Sequence, residues 1–152
     1  MGGEMDDSPV EVQRGEVLIS TDRSRIDLEA ALALLGTTHW AVGMSPETLK
    51  RAIANSVCFG MYRNGELIGL GRVVTDLATY AYWTDVVIAP AHRGRGLGRW
   101  LSACMLAHPD LQNLRRVALL TRDAAALYTE LGFSEGPGQL IYMERKPPGE
   151  AA

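Results

Sequence analysis

Apolar and polar residues change their spacing several times along this chain, and each change marks an element. Residues 16–20 form a short apolar run that predicts a first strand. Residues 27–35 are strongly apolar and stop at Gly36, which predicts a helix with a glycine end. Ser45-Pro46-Glu47 opens a second helix, with Ser45 as cap and Pro46 at the first helical position, reaching about Asn55. Residues 57–63 and 66–75 read as strands joined by Asn64-Gly65, the strongest short hairpin signal. After a turn at 76–79, residues 80–89 form another strand. An amphipathic pattern then predicts a helix that reaches about His108 and stops at Pro109. Residues 116–120 predict a strand. Asp123 is placed to cap a helix over 124–131, which Gly132 ends, and residues 140–146 give a last strand. The order is β-α-α-β-β-β-α-β-α-β. It predicts an α/β mixed sheet with helices on both faces, within one domain over residues 14–147. Residues 1–13 and 148–152 read as mobile tails.

The segment between the strand at 80–89 and the helix after it carries the chemistry. It reads Pro90-Ala-His-Arg-Gly-Arg-Gly-Leu-Gly-Arg99, with glycines at 94, 96 and 98 and arginines at 93, 95 and 99. Glycine lets backbone approach a ligand closely, and N–H groups at a helix start attract phosphate. Arginine adds charge at the same place. A nucleotide P-loop would end in Gly-Lys-Ser/Thr, but Gly98 is followed by Arg99 and Trp100. A Rossmann loop would be followed by a strand leading to an acidic residue, and here that strand leads to Thr121.

The remaining pattern, Arg93-x-x-Gly96-x-Gly98 after a strand, resembles the pyrophosphate-binding motif of the GNAT acyltransferases. A second segment, Ala124-x-x-Leu127-Tyr128-x-x-x-Gly132-Phe133, is similar to that family's other signature, a helix bearing a tyrosine followed by a glycine-led strand. The resemblance spans about residues 17–146. It implies a GNAT fold: six to seven strands, about four helices, and a splay between the fourth and fifth strands, here 80–89 and 116–120. It also implies acetyl-CoA as cosubstrate and an amine acceptor. Contacts to the coenzyme would come from Val87, Ile88, Arg93, Gly94, Arg95, Gly96, Leu97, Gly98, Arg99, Thr121, Ala124 and Tyr128. Family members often have Asn where this chain has Thr121.

Composition narrows the partners. Of 152 residues, 47% are hydrophobic and 22% charged, enough for a real core. The net charge of −3 does not suggest a nucleic-acid partner. No apolar run approaches the ~20 residues of a membrane span, and the acidic start lacks a signal-peptide core. Two cysteines make no disulfide framework. Cys58 and Cys104 both lie in apolar patterns and read as buried thiols, which suits a reducing cytoplasm. His39 has no ligand partner at metal-binding spacing, so no metal is expected. A homodimer is one state open to the chain.

Three roles follow from acyl transfer. Tyr128 is the candidate acid for the departing sulfur, because a neutral tyrosine can donate to a thiolate. It also shares an apolar helix face with Ala124, Leu127 and Leu131, the pattern of a core residue. Asp85 is a carboxylate inside a strand, where Asp is depleted, so it is either a base or the acceptor of a structural hydrogen bond. The family's best-known catalytic carboxylate lies three residues earlier, where this chain has Tyr82. Tyr82 or a water chain is the other candidate base. The acceptor is expected between the connection at 36–44, with His39 and Trp40, and the strand bearing Tyr80, Tyr82 and Trp83. These rings form either an aromatic slot for a cationic amine or part of the core. A primary amine on a small molecule is the expected acceptor. A protein N-terminus or lysine, and a module that binds acyl-CoA without turnover, are the alternatives.

Overall fold

Asn64 and Gly65 take positive φ, 51° and 80°, and join β3 (Val57–Arg63) to β4 (Glu66–Thr75) in an antiparallel pair, as their sequence predicts. The structure is a computed structural model describing residues 8–149. The expected tails thus fall outside the described residues at 1–7 and 150–152. The described residues form two compact units that divide between Thr121 and Arg122.

The first unit holds a six-stranded sheet in sequence order: β1 (Glu11–Arg14), β2 (Val17–Ser20), β3, β4, β5 (Tyr80–Ile88) and β6 (Arg116–Leu119). Neighbours are antiparallel except β5 and β6, which are parallel. A parallel pair needs a crossover, supplied by α3 (Leu97–Ala107). The turn from β4 into β5 is built by Asp76. Its Oδ2 accepts from the Thr79 hydroxyl and its Oδ1 from the N–H groups of Thr79, Ala78 and Tyr80, which together hold its carboxyl far below the usual range.

One correction concerns the start of the chain. Residues 11–13, expected in a tail, belong to β1, which adds a strand at the sheet edge. All four β1 side chains are exposed, so no apolar alternation announces the strand. Backbone pairing forms it, helped by an ion pair from Arg25 to Glu11 at 2.8 Å and by Arg14 lying 4.7 Å over the Trp100 ring.

Helices cover both faces. Asp27 caps α1 (Leu28–Leu35) by accepting from Glu29 N–H, and Ser45 caps α2 (Pro46–Ala54) by accepting from Thr48 N–H. Ala31, Leu34, Leu35 and Leu49 from these helices, with Ala41 between them, pack on Leu70 and Val87 of the sheet. On the opposite face α3 approaches β4 at Gly71, where an added Cβ would lie 2.7 Å from Met105 Sδ. Glycine at 71 therefore sets how close α3 sits. Cys58 is buried as expected, but Cys104 on α3 is only half-buried. It lies beside the apolar stripe rather than within it.

His108 ends α3 with its imidazole buried, 5.6 Å edge-on from Phe59, and its Nδ1 accepts from Asp110 N–H at 3.1 Å. Burial holds this imidazole below the ordinary histidine value. As pH falls, the unfolded chain therefore takes up the proton first. The stability from His108 is present above the ordinary value of about 6.5 and is lost as pH falls through it toward the folded value. His108→Asn keeps a capping acceptor without titrating. Its melting temperature should fall less than the wild type's between about pH 7 and pH 5; an identical fall in both would remove His108 from the acid limb.

The second unit carries α4 (Ala125–Glu130), one residue shorter at each end than expected. Ala124 is its N-cap and no side chain caps it, so Asp123 does not take the role assigned to it. Gly132 ends the helix at φ 98°, and Phe133 N–H reaches back to Tyr128 O at 3.0 Å, a Schellman-type closure. The strands expected after Gly132 and at 140–146 are not formed among the described residues. Leu140, Ile141, Tyr142 and Met143 are exposed. Their continuous apolar run carries β propensity, but propensity without a ladder partner does not make a strand.

Candidate functional site

The β4–β5 register slips at one place. Leu70 pairs with Val87, and the next pair is Arg72 with Thr84, so Gly71 faces two residues, Asp85 and Val86. This is a β-bulge, and Asp85 absorbs it at φ 56°. Asp tolerates the left-handed region better than most residues, which explains a carboxylate at a strand position where Asp is otherwise depleted. Beyond the bulge β5 loses its other neighbour. Its pairing with β6 covers only Tyr80–Trp83 against Arg116–Leu119, and residues 84–88 continue without it. The splay implied between the fourth and fifth strands is thus found between β5 and β6, the count being raised by β1. Val87 and Ile88 lie on this open stretch. The Val87 side chain joins the α1–α2 core, and Ile88 faces Gly98 at the start of α3.

β5 runs directly into the glycine loop. A short 3-10 turn at Pro90–His92 is followed by Gly94 and Gly96, at φ 79° and 77°. Nothing crowds either glycine, so the backbone conformation and not packing demands them. Gly96 is the N-cap of α3, which has no side-chain cap and no acidic residue in its first turn. The first helical bond runs from Trp100 N–H to Gly96 O at 3.1 Å, so the N–H groups of Leu97 and Gly98 precede the helical ladder. Arg95 and Arg99 are exposed beside them. Arg93 differs: its Nε donates to Ile88 O at 3.0 Å, tying the loop back to the strand end. His92 was not singled out by the sequence, yet its Nδ1 is buried with no partner among the described residues. A loop with bare N–H groups, three arginines and room at its glycines fits a phosphate-bearing ligand.

The connection between α1 and α2 meets the sheet at the bulge. Thr38 Oγ1 donates to Leu35 O and accepts from Ala41 N–H, which shapes the loop. Trp40 Nε1 then donates to Asp85 Oδ1 at 3.2 Å, and His39 sits edge-on to Trp40 at 5.0 Å. Arg72 Nε donates to Asp85 Oδ2 at 3.0 Å. Both Asp85 oxygens therefore accept a hydrogen bond, one from Trp40 and one from Arg72. Arg72 was missed by sequence reasoning. A charged residue inside the apolar run Leu-Ile-Gly-Leu-Gly-Arg-Val-Val was the available signal.

Strand alternation sorts the aromatic residues. Thr84 and Tyr82 pair with Arg72 and Val74, so Tyr82 and Tyr80 share the face of Arg72. Trp83 pairs with Val73, on the face of Gly71 and α3, and is buried. Trp83 is therefore removed from the expected slot, because a period of two puts adjacent residues on opposite faces. His39, Trp40, Tyr80 and Tyr82 remain.

Within the second unit, Tyr128 lies on the half-buried face of α4 with Ala124, Leu127 and Leu131, as its spacing predicts. Its ring meets Phe133 edge-on at 5.7 Å, and burial pushes its phenol above the ordinary tyrosine value. Thr121, the last residue of the first unit, is exposed. Among the described residues no group of three His, Cys, Asp or Glu side chains is arranged to hold a metal ion, and no helix is long and apolar enough to cross a membrane.

Comparison with known proteins bears on this arrangement. The family model described as an acetyltransferase (GNAT) domain matches residues 54–135. The Gibberella zeae protein FG08082, assigned to the acetyltransferases, is 37% identical, over 76% of this chain and 77% of its own. A solved structure from Xanthomonas campestris pv. campestris, assigned to the GNAT acetyltransferases, is 40% identical. It superposes with a TM-score of 0.82, covering 90% of this chain and 97% of its own. A Clostridium acetobutylicum protein assigned to the acetyltransferases and solved with acetyl-CoA shares the fold, with a TM-score of 0.62 at 11% identity, over 90% of this chain and 95% of that one.

Proposed function

Since the chain belongs to the GNAT acetyltransferase family, we propose that it moves an acetyl group from acetyl-CoA to a primary amine on a small molecule, directly and within a ternary complex. The observation that carries this reading is that β5 outruns its pairing with β6 after Trp83, at the bulge at Asp85, and continues without β6 toward the glycine loop. One continuous strand thereby offers an open edge for an amide-bearing arm and then a loop for its phosphates. Two free cysteines suit a cytoplasmic setting.

Bound acetyl-CoA would supply an acetyl thioester, whose thiolate leaving group has a pKa of about 8.5. The N–H groups of Gly94, Gly96, Leu97 and Gly98, with Arg95 and Arg99, hold its diphosphate; Arg93 fixes the loop. The open edge at Val87 and Ile88 pairs with amides by strand addition and offers an N–H to the acetyl carbonyl oxygen. Such a donor is worth about 3 kcal/mol where charge develops. Thr121 and Ala124 are assigned to the arm on the family resemblance. Tyr128 is assigned on the same resemblance as the proton donor to sulfur, and its raised pKa keeps the phenol protonated for that role. Asp85 acts as a positioning residue that holds Trp40 and Arg72. Proton removal from the amine falls to Tyr82 or to a water it orders.

Trp40 is half-exposed beside the bulge, on the side of β5 that carries Tyr82. Trp40→Ala should leave CoA affinity nearly unchanged and weaken the acceptor by about 0.5–2 kcal/mol, the worth of a cation–π contact. That is roughly two- to thirty-fold in KM. A loss of CoA affinity equal to the loss of acceptor affinity would contradict this division.

The function is tested by a screen of small amines and peptides, with thiol release from acetyl-CoA as readout. Release driven by small amines supports the proposal. Release driven by peptides alone favours a protein acetyltransferase, and CoA binding without release favours a binding module.

A further inference from the structure

We propose that the acceptor carries a carboxylate as well as its amine, and that Arg72 receives the carboxylate. This rests on the acceptor slot proposed above. Arg72 lies in the middle of β4 with its side chain only 14% exposed, against a partner, Asp85, exposed by 2%. An arginine and a carboxylate brought together in this way ordinarily form two parallel hydrogen bonds. Here only one is formed, from Nε to Oδ2, while Trp40 donates to the other Asp85 oxygen. The Arg72 bond comes from Nε, and neither Nη makes a hydrogen bond among the described residues. Neither Nη is among the buried atoms that lack a partner, which are Tyr62 Oη and His92 Nδ1, so both reach solvent. A guanidinium is thus oriented by Asp85 from one side, with its Nη atoms left to face a second planar anion.

The surroundings favour a zwitterion. Tyr80, Tyr82 and Thr84 share the Arg72 face, with Trp40 and His39 beside the bulge. Among the described residues Asp85 is the one carboxylate bonded to Arg72, and each of its oxygens already accepts a hydrogen bond. A bare ammonium entering here would meet the Nη edge of Arg72, which makes no bond to Asp85. An amine carrying its own carboxylate would satisfy Arg72 while its ammonium lies against aromatic faces. The glycine loop does not compete for the role. Arg72 pairs with Thr84 across the sheet, at the bulge, whereas the loop begins after Ile88.

The test is acetylation of a panel of amino acids, each paired with its own carboxamide, by wild-type and Arg72→Lys protein, followed by thiol release. In the wild type, kcat/KM for the acid should exceed that for the amide by roughly ten- to a hundred-fold, the worth of a charge-assisted hydrogen bond. The difference should lie in KM. Lysine keeps a cation beside Asp85 but loses the planar fork, so the acid-to-amide ratio should fall toward one. A purely structural Arg72 would lower both members of each pair equally and leave the ratio alone. Should Arg72→Lys fail to fold, the double variant Arg72→Gln/Asp85→Asn removes both charges together and reads the same ratio. Equal use of acid and amide by the wild type, or a ratio that survives in the variant, overturns the inference and leaves acetyl transfer standing. Absence of transfer to every amine overturns both.

Discussion

Tyr128→Phe should lower kcat by about 10²–10⁴-fold, the usual size for lost general-acid help, with little change in the KM for acetyl-CoA. The hydroxyl matters only as charge develops on sulfur, so its loss appears in turnover and not in binding. The ring is retained, and with it the edge contact to Phe133, so the folded state should be little affected. Burial raises the Tyr128 pKa, so the wild type remains a proton donor through neutral pH and past the ordinary tyrosine value of about 10. Unchanged turnover, measured where chemistry limits the rate, would leave Tyr128 as a packing residue on the face of α4.

Gly96→Val should abolish measurable CoA binding in calorimetry while the protein stays folded. Gly96 holds φ at 77° as the N-cap of α3, a conformation that a β-branched residue adopts only with strain of about 1–3 kcal/mol. No atom lies within 4 Å of the added Cβ, so the strain is confined to the backbone. The chain relieves it by turning the N–H groups of the first helical turn away from their common direction. The core of α3, around Leu101 and Met105, is remote from that change, and a melting shift of several degrees is the expected extent. CoA affinity equal to the wild type's in a folded Gly96→Val protein would place the diphosphate elsewhere.

Local chemistry made much of this fold legible. Asn64-Gly65, Ser45-Pro46 and the Gly96–Leu97 helix start each announce themselves through backbone rules that need no tertiary partner. β1 was hidden because its four exposed side chains leave no apolar signature. At residues 140–143 the opposite error occurred: an apolar run suggested a strand that has no ladder there. The oddity of Asp85 was visible, but its cause was not, because the bulge belongs to the register between two strands. Its contact with Trp40 spans 45 positions and its pairing with Arg72 crosses the hairpin, so neither follows from spacing. Trp83 was grouped with its neighbours although alternation separates it from Tyr82, a distinction the strand period already contained.

The most direct test of the central claim is a single-turnover reaction with acetyl-CoA labelled in its acetyl group, an amine found in the screen, and the protein in excess. Both the amine and the intact protein are then weighed. The account predicts that the label appears on the amine nitrogen in step with thiol release, and that the protein mass does not change. Label retained on the protein, or CoA bound with no label reaching the amine, would contradict direct transfer at the bulge and glycine loop.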